Sequence, residues 1–265
     1  MIPKVVVVMF PGLNCESETM VALKSAGMDA RIVRWNELDK LSGFDGYVIP
    51  GGWSFEDRIR AGVIAAKDPV MNLIREESEK GKPVLGICNG AQILVESGLI
   101  PGIENRVQFG LAPSKYGYKC IWTKIKSVNK KGSCAFNSSI NENEIIPIPI
   151  AHGEGWFITK EKGLLDDLIQ HRQVVFRYCN QIGEFDETFP TNPNGSTCNI
   201  AALSNPRGNV VAIMPHPERA SFVRQLPDLQ IKRGSCGDFE KMESATSGIK
   251  IFESMKSFIR GRAEK

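Results

Sequence analysis

Short apolar runs alternate with helical patterns in the first hundred residues of the chain, and two of these runs stop at a Pro-Gly pair. The runs occupy 5–9, 30–33, 46–49 and 83–87. Helical patterns follow the first and the last of them, at about 16–27 and 90–97. A β-branched run without a polar face is typical of a strand buried on both sides. The alternation predicts an α/β fold with a flavodoxin-like, mostly parallel sheet and helices on both faces.

The second half of the chain is richer in strands. Five further apolar runs predict strands at 119–128, 145–151, 174–179, 200–203 and 210–214. A turn at 205–208 joins the last two, which favours additional antiparallel strands in this half. Apolar residues at helical spacing predict a helix over 249–259. No break in composition marks a linker, so we expect a single domain over 1–265, with an irregular insertion at about 221–248.

Charge and composition disfavour several classes of protein. The chain has 33 Lys and Arg against 30 Asp and Glu, a net charge of +3, without a basic run that would attract nucleic acid. Its apolar stretches are shorter than the roughly 18 residues of a membrane span. The seven cysteines are scattered, without a C-x-x-C pair, and the N-terminus lacks a signal-peptide pattern. We therefore expect a cytoplasmic protein that binds neither nucleic acid nor membrane.

One cysteine lies at the carboxyl end of a predicted strand, where open parallel sheets usually bind their ligands. Cys88 directly follows the strand at 83–87, with Gly86 and Gly90 two positions to either side. A tight strand-to-helix turn framed by glycines exposes the side chain between them, and the helix N-terminus favours a thiolate. The pattern indicates a nucleophile; the alternative is a buried structural cysteine.

A thiolate nucleophile needs a base, and the chain has three histidines. His171 lies in a polar stretch and is expected at the surface, whereas His152 and His216 both follow predicted strands. Pro217 favours extended backbone at His216, so His216 and Glu218 face the same side and fit a nucleophile–base–orienter triad. Two alternatives remain: a purely structural Pro-x-Pro turn, and a metal site of Cys88, His216 and Glu218. The sequence lacks the usual ligand spacings, so we expect no metal.

Several strings together resemble a known family. They are FPGLNC (10–15), PGGWSFED (50–57), GICNGAQ (86–92), AHGEG (151–155), NPNGS (192–196) and MPHPERA (214–220). With them the chain resembles the glutaminase subunits of phosphoribosylformylglycinamidine synthase, which are class I, triad-type glutamine amidotransferases of purine biosynthesis. The resemblance implies one amidotransferase domain with the fold of that class.

The resemblance also implies roles for individual residues. Cys88 is expected to attack the side-chain amide of glutamine, with His216 as base and acid and Glu218 as its orienting carboxylate. The backbone N–H groups of Gly52 and Asn89 are expected to form the oxyanion hole, which suits a glycine and the first residue of a helix. The residues expected to line the glutamine pocket are Gln92, His152, Asn194, Gly195 and Ser196.

The implied partners are glutamine, a synthetase subunit that receives the ammonia and a small accessory subunit. No cofactor is expected in this chain, which lacks a P-loop; ATP and Mg are expected on the synthetase subunit. Two other functions remain as alternatives: a hydrolase or peptidase with a cysteine on a similar turn, and a catalytically silent module that binds a partner.

Overall fold

The computed structural model describes residues 1–104, 106–227 and 241–263. The strands within these ranges are β1 (Lys4–Met9), β2 (Asp29–Arg34), β3 (Gly46–Ile49), β4 (Val84–Ile87), β5 (Gly110–Pro113), β6 (Lys119–Ser127), β7 (Ile145–His152), β8 (Glu154–Ile158), β9 (Val174–Tyr178), β10 (Ile200–Ser204) and β11 (Val210–Ile213). The α-helices that lie wholly within these ranges are α1 (Glu16–Ser25), α2 (Leu38–Leu41), α3 (Val70–Glu79), α4 (Asn89–Glu96), α5 (Leu164–Gln170) and α6 (Lys250–Ala263).

Nine strands form one mixed sheet in the order β2-β1-β3-β4-β11-β10-β9-β6-β7. The pairs from β2 to β11 are parallel, and the pairs from β11 to β7 are antiparallel. The strands β5 and β8 pair in a separate antiparallel ribbon. The predicted α/β fold, mostly parallel in the first half with antiparallel strands added in the second, is confirmed.

The core lies on both faces of the parallel strands. The valines of β1 are fully buried, and β3 and β4 are buried along their whole length. Helix α3 packs Val70 and Ile74 inward, and α6 buries Phe252 and Met255. Each such apolar side chain stabilises the fold by about 1.5–3 kcal/mol, so these helices are fixed by their apolar faces.

The structure contains elements that the sequence did not predict. These are the ribbon of β5 and β8 and the helices α2, α3 and α5, and α6 extends beyond the predicted 249–259. In the predicted insertion at 221–248, Phe222 forms a β-bridge with Ala245, and the N–H of Val223 donates to the carbonyl of Ser244 at 3.0 Å. The segment 228–240 lies outside the described residues.

The sheet brings four loops together at one edge. The strands β1, β3, β4 and β11 are consecutive neighbours and parallel, so the loops that follow them emerge side by side at their carboxyl ends. Ligands of open α/β sheets bind at this edge. Within the described ranges, each helix is too short or too polar to cross a membrane.

Candidate active site

Cys88 occupies a strained turn between β4 and α4. Its φ of 51° and ψ of −104° are unusual for a residue with a side chain. A Cβ on Gly86 would lie 2.4 Å from the carbonyl oxygen of Gly90, and a Cβ on Gly90 would lie 2.0 Å from that of Ile49. The absence of a side chain at both positions therefore permits the close approach of neighbouring backbone.

His216 and Glu218 form a buried pair after β11. The Nδ1–H of His216 donates to Oε1 of Glu218 at 2.5 Å, and the backbone N–H of His216 donates to the carbonyl of Pro149 at 2.9 Å. Burial opposes a charged imidazole, but the negative charges of Glu218 and Cys88 outweigh it and hold the pKa of His216 well above its ordinary value. The expectation that the two side chains face the same side is confirmed.

The imidazole and Cys88 share a small space above Gly51. A Cβ on Gly51 would lie 2.8 Å from Cε1 of His216 and 3.4 Å from Cβ of Cys88. The Nε2 atom of His216 is buried and has no hydrogen-bond partner among the described residues. One ring nitrogen is thus fixed by Glu218, and the other can exchange a proton beside the thiol. His171, by contrast, is exposed, as predicted.

A second cysteine contacts the same histidine. The Sγ of Cys15 would lie 3.2 Å from a Cβ on Gly51, and the proximity of this sulfur contributes to the raised pKa of His216. The guanidinium of Arg219 donates to this sulfur at 3.1 Å. Burial raises the pKa of the Cys15 thiol.

Potential metal ligands among the described residues form a different set from the one considered in the sequence. The grouped side chains are Cys15, His216 and Glu218, with ligand atoms within 4.8 Å of one another, whereas Cys88 is not in the group. The positive charge of Arg219 touches the sulfur, and Nδ1 of His216 already donates to Glu218. Both features oppose binding of a cation.

A cavity of about 180 Å³ opens beside Cys88. Its lining residues are Gly52, Trp53, Asp57, Cys88, Gln92, Tyr118, Ala151, His152, Gly153 and Glu154. A larger cavity of about 720 Å³ lies at the opposite edge of the sheet, next to Pro3 and Pro83, which precede β1 and β4. Its described lining contains no cysteine or histidine, so the smaller cavity is the candidate site.

One of the two predicted oxyanion residues, Gly52, lines this cavity. Gly52 has a φ of 141°, and a Cβ there would lie 2.5 Å from Cα of Leu13. Asn89 is the first residue of α4, where a backbone N–H has no partner within the helix. Its side chain accepts from the N–H of Ser54 at 3.0 Å, which ties the loop after β3 to the helix.

Gln92 and His152 line the cavity in different ways. The amide of Gln92 accepts from Asn89 at 2.8 Å and donates to the carbonyl of Glu154 at 2.7 Å, so it holds neighbouring groups in place. Burial, together with the charge of His216, lowers the pKa of His152 to about 3, and its Nε2 has no partner among the described residues. His152 therefore presents a neutral imidazole.

Asn194, Gly195 and Ser196 lie one layer behind the cavity lining. Asn194 and Ser196 are buried and donate to the carbonyl of Gly155, at 2.8 Å and 3.2 Å. Gly195 faces the side chain of Lys115. This loop therefore supports the backbone of β8, next to the residues that line the cavity.

Six residues that line the cavity have no role predicted from the sequence. They are Trp53, Asp57, Tyr118, Ala151, Gly153 and Glu154. Asp57 and Glu154 stand in two of the strings that carry the resemblance, in the same strings as Gly52 and His152. Charged residues in loops that meet at one sheet edge were the signal that could have identified them.

Known proteins match the chain over nearly its full length. The CobB/CobQ-like glutamine amidotransferase domain matches residues 2–259. The phosphoribosylformylglycinamidine synthase subunit PurQ of Methanothrix thermoacetophila is 46% identical over 98% of this chain and 99% of its own. The Pyrococcus furiosus subunit PurQ is 43% identical over 87% of this chain and 96% of its own. A chain in the structure of PurLQS from Thermotoga maritima has a TM-score of 0.74 at 30% identity, covering 98% of this chain and 100% of that one. This chain belongs to the PurQ family of CobB/CobQ-like glutamine amidotransferases.

Proposed function

We propose that Cys88, His216 and Glu218 perform the glutamine hydrolysis of this amidotransferase, the glutaminase subunit of phosphoribosylformylglycinamidine synthase in purine biosynthesis. The observation that carries the proposal is the buried pair of His216 and Glu218, whose free Nε2 lies beside a cysteine on a strained turn. A cavity opens next to that cysteine and can admit the substrate amide.

The reaction follows from the charges of these groups. The Cys88 thiolate attacks the side-chain carbonyl carbon of glutamine, and the N–H groups of Gly52 and Asn89 stabilise the charge that develops on its oxygen. His216 donates a proton from Nε2 to the departing ammonia, which leaves a γ-glutamyl thioester. The neutral imidazole then takes a proton from a water molecule whose oxygen attacks the thioester carbonyl. The C–S bond breaks, which releases the side-chain carboxyl group of glutamate and restores the Cys88 thiolate beside the His216 imidazolium. Glu218 stabilises the imidazolium throughout.

The ammonia is proposed to pass to a synthetase subunit that binds ATP and Mg, in an assembly with a small accessory subunit. The name PurLQS of the Thermotoga maritima structure supports an assembly of several subunits. We further propose a cytoplasmic location and a single amidotransferase domain over 1–265. The six cysteines within the described ranges are unpaired, which suits a reducing compartment.

The test compares two nitrogen sources in the reconstituted complex. Cys88→Ala should abolish synthesis from glutamine and preserve synthesis from added ammonium, because only ammonia release needs the thiol. Cys120→Ala is the matched control, since Cys120 is exposed and free, and it should preserve both activities. Glutamine-dependent synthesis by the Cys88→Ala complex would refute the assignment of the nucleophile.

A further inference from the structure

The cavity beside Cys88 carries negative charge at its wall. Two carboxylates, Asp57 and Glu154, belong to its lining, and the described lining residues include no lysine or arginine. His152 adds no positive charge, because its pKa is lowered to about 3 by burial and by the charge of His216. A ligand with a positive charge is therefore favoured here.

Asp57 is fixed by the residue that follows the nucleophile. The Nδ2 of Asn89 donates to Oδ1 of Asp57 at 2.9 Å. The carboxylate sits at the end of a short 3-10 turn, Ser54–Asp57, in which Phe55, Glu56 and Asp57 all have φ between 51° and 60°. Such backbone is strained for residues with side chains and is typical of functional sites. The turn thus holds a carboxylate at a set position relative to Cys88.

Among the residues that the structure describes, none forms an ion pair with the carboxylate of Asp57. Burial and the charge of Glu154 raise the pKa of Asp57 to about 6, although the hydrogen bond from Asn89 opposes this. The N–H of Asn89 occupies one acceptor position of the Asp57 carboxylate, and a carboxylate can accept about four hydrogen bonds. Asp57 therefore has acceptor capacity left for a ligand.

Few contacts among the described residues offset the negative charge of Glu154. Its carboxylate accepts a long hydrogen bond from the N–H of Ala61, at 3.4 Å. The guanidinium of Arg60 acts on Glu154 electrostatically, but its N–H groups donate to both carboxylate oxygens of Glu96. An ammonium group in the cavity would relieve the repulsion between Glu154 and Asp57.

We infer that Asp57, assisted by Glu154, binds the α-ammonium group of the substrate glutamine and so makes the site specific for a free α-amino acid. The inference rests on the proposed function and adds a contact to the α-ammonium group, for which the proposed function names no residue. Asn89 is joined through its main chain to Cys88, which attacks the amide, and its side chain holds the Asp57 carboxylate, which binds the ammonium. Asn89 therefore connects the protein groups that contact the two ends of the substrate.

The test pairs two substrates that differ in the α-amino group: glutamine and glutaramate, which has the same amide chain without the amine. In the complex with the synthetase subunit, Asp57→Asn should lower kcat/KM for glutamine about 10- to 100-fold, as for loss of a charge-assisted hydrogen bond. The kcat/KM for glutaramate should stay within about 2-fold, because that substrate has no ammonium to lose. Glu154→Gln should act in the same direction.

The matched control is Glu56→Gln, which changes the charge of the same turn by the same amount. Glu56 is exposed and pairs with Arg58, so this variant should leave both substrates unaffected. Equal losses on both substrates with Asp57→Asn would assign Asp57 to positioning Asn89 and overturn the inference, and so would unchanged kinetics on glutamine. Failure of the proposed function is distinguishable, because Cys88→Ala would then still hydrolyse glutamine.

Discussion

Replacing Gly90 with alanine tests whether the tight turn after β4 makes Cys88 reactive. The new Cβ would lie 2.0 Å from the carbonyl oxygen of Ile49 and 2.7 Å from its carbonyl carbon. Close carbon–oxygen contacts are roughly 3.3 Å, so the start of α4 must move about 1 Å from β3. Overpacking of this kind costs about 1–3 kcal/mol of stability. A displacement of about 1 Å at reacting groups can lower turnover ~100-fold.

The assay measures thermal unfolding of the chain and glutamine-dependent turnover of the complex. For Gly90→Ala we expect a Tm lower by about 2–12 °C and turnover lower by about two orders of magnitude. Gly261→Ala is the matched control: Gly261 lies in α6, a Cβ there meets nothing within 4 Å, and alanine favours the helix. That variant should keep full turnover and an equal or higher Tm. Wild-type Tm and turnover in Gly90→Ala would refute the steric argument.

Three further predictions concern the triad and the cavity. Glu218→Gln should lower glutamine-dependent turnover about 10- to 100-fold, because the His216 imidazolium loses a charge-assisted partner worth about 1.5–3 kcal/mol; an unchanged rate would contradict this role. Gly155→Ala should lower kcat/KM for glutamine ~10-fold or more, since its Cβ would lie 2.2 Å from the ring of His152. Equal kinetics would show that the ring position is not required. Protonation of Asp57, whose pKa is raised to about 6, should raise KM for glutamine as pH falls from about 7 to 5; a KM independent of pH would count against the ammonium contact.

The sequence predicts best those parts of the site that depend on neighbouring residues in the chain. The turn at Cys88 was predictable because Gly86 and Gly90 frame it, and the direction of His216 and Glu218 was predictable because Pro217 favours extended backbone between them. The parallel strands were equally clear, since a strand buried on both faces is apolar along its whole length.

Contacts between distant segments were not predictable in this way. Asp57 and Glu154 meet in one cavity only because the loop after β3 lies beside the start of β8. Cys15 contacts His216 because β1 and β11 belong to the same group of parallel strands. No spacing within either segment encodes these contacts.

The strands β5 and β8 show a second limit of the sequence. They are four and five residues long and only half-buried, so neither has the continuous apolar pattern of the central sheet. The loop that contains Asn194 shows a third limit. The resemblance assigns this loop to the glutamine pocket but does not tell whether its side chains line the cavity or lie behind the lining. The amide of Asn194 supports the carbonyl of Gly155, behind the cavity lining.

The central claim is that Cys88 alone among the seven cysteines is the nucleophile. Its most direct test is labelling of the complex with a diazoketone analogue of glutamine, followed by peptide mass spectrometry. We predict one adduct, on Cys88, that forms more slowly with excess glutamine and is absent from Cys15, which also contacts His216. An adduct on Cys15, or continued glutamine turnover after complete modification of Cys88, would contradict the account.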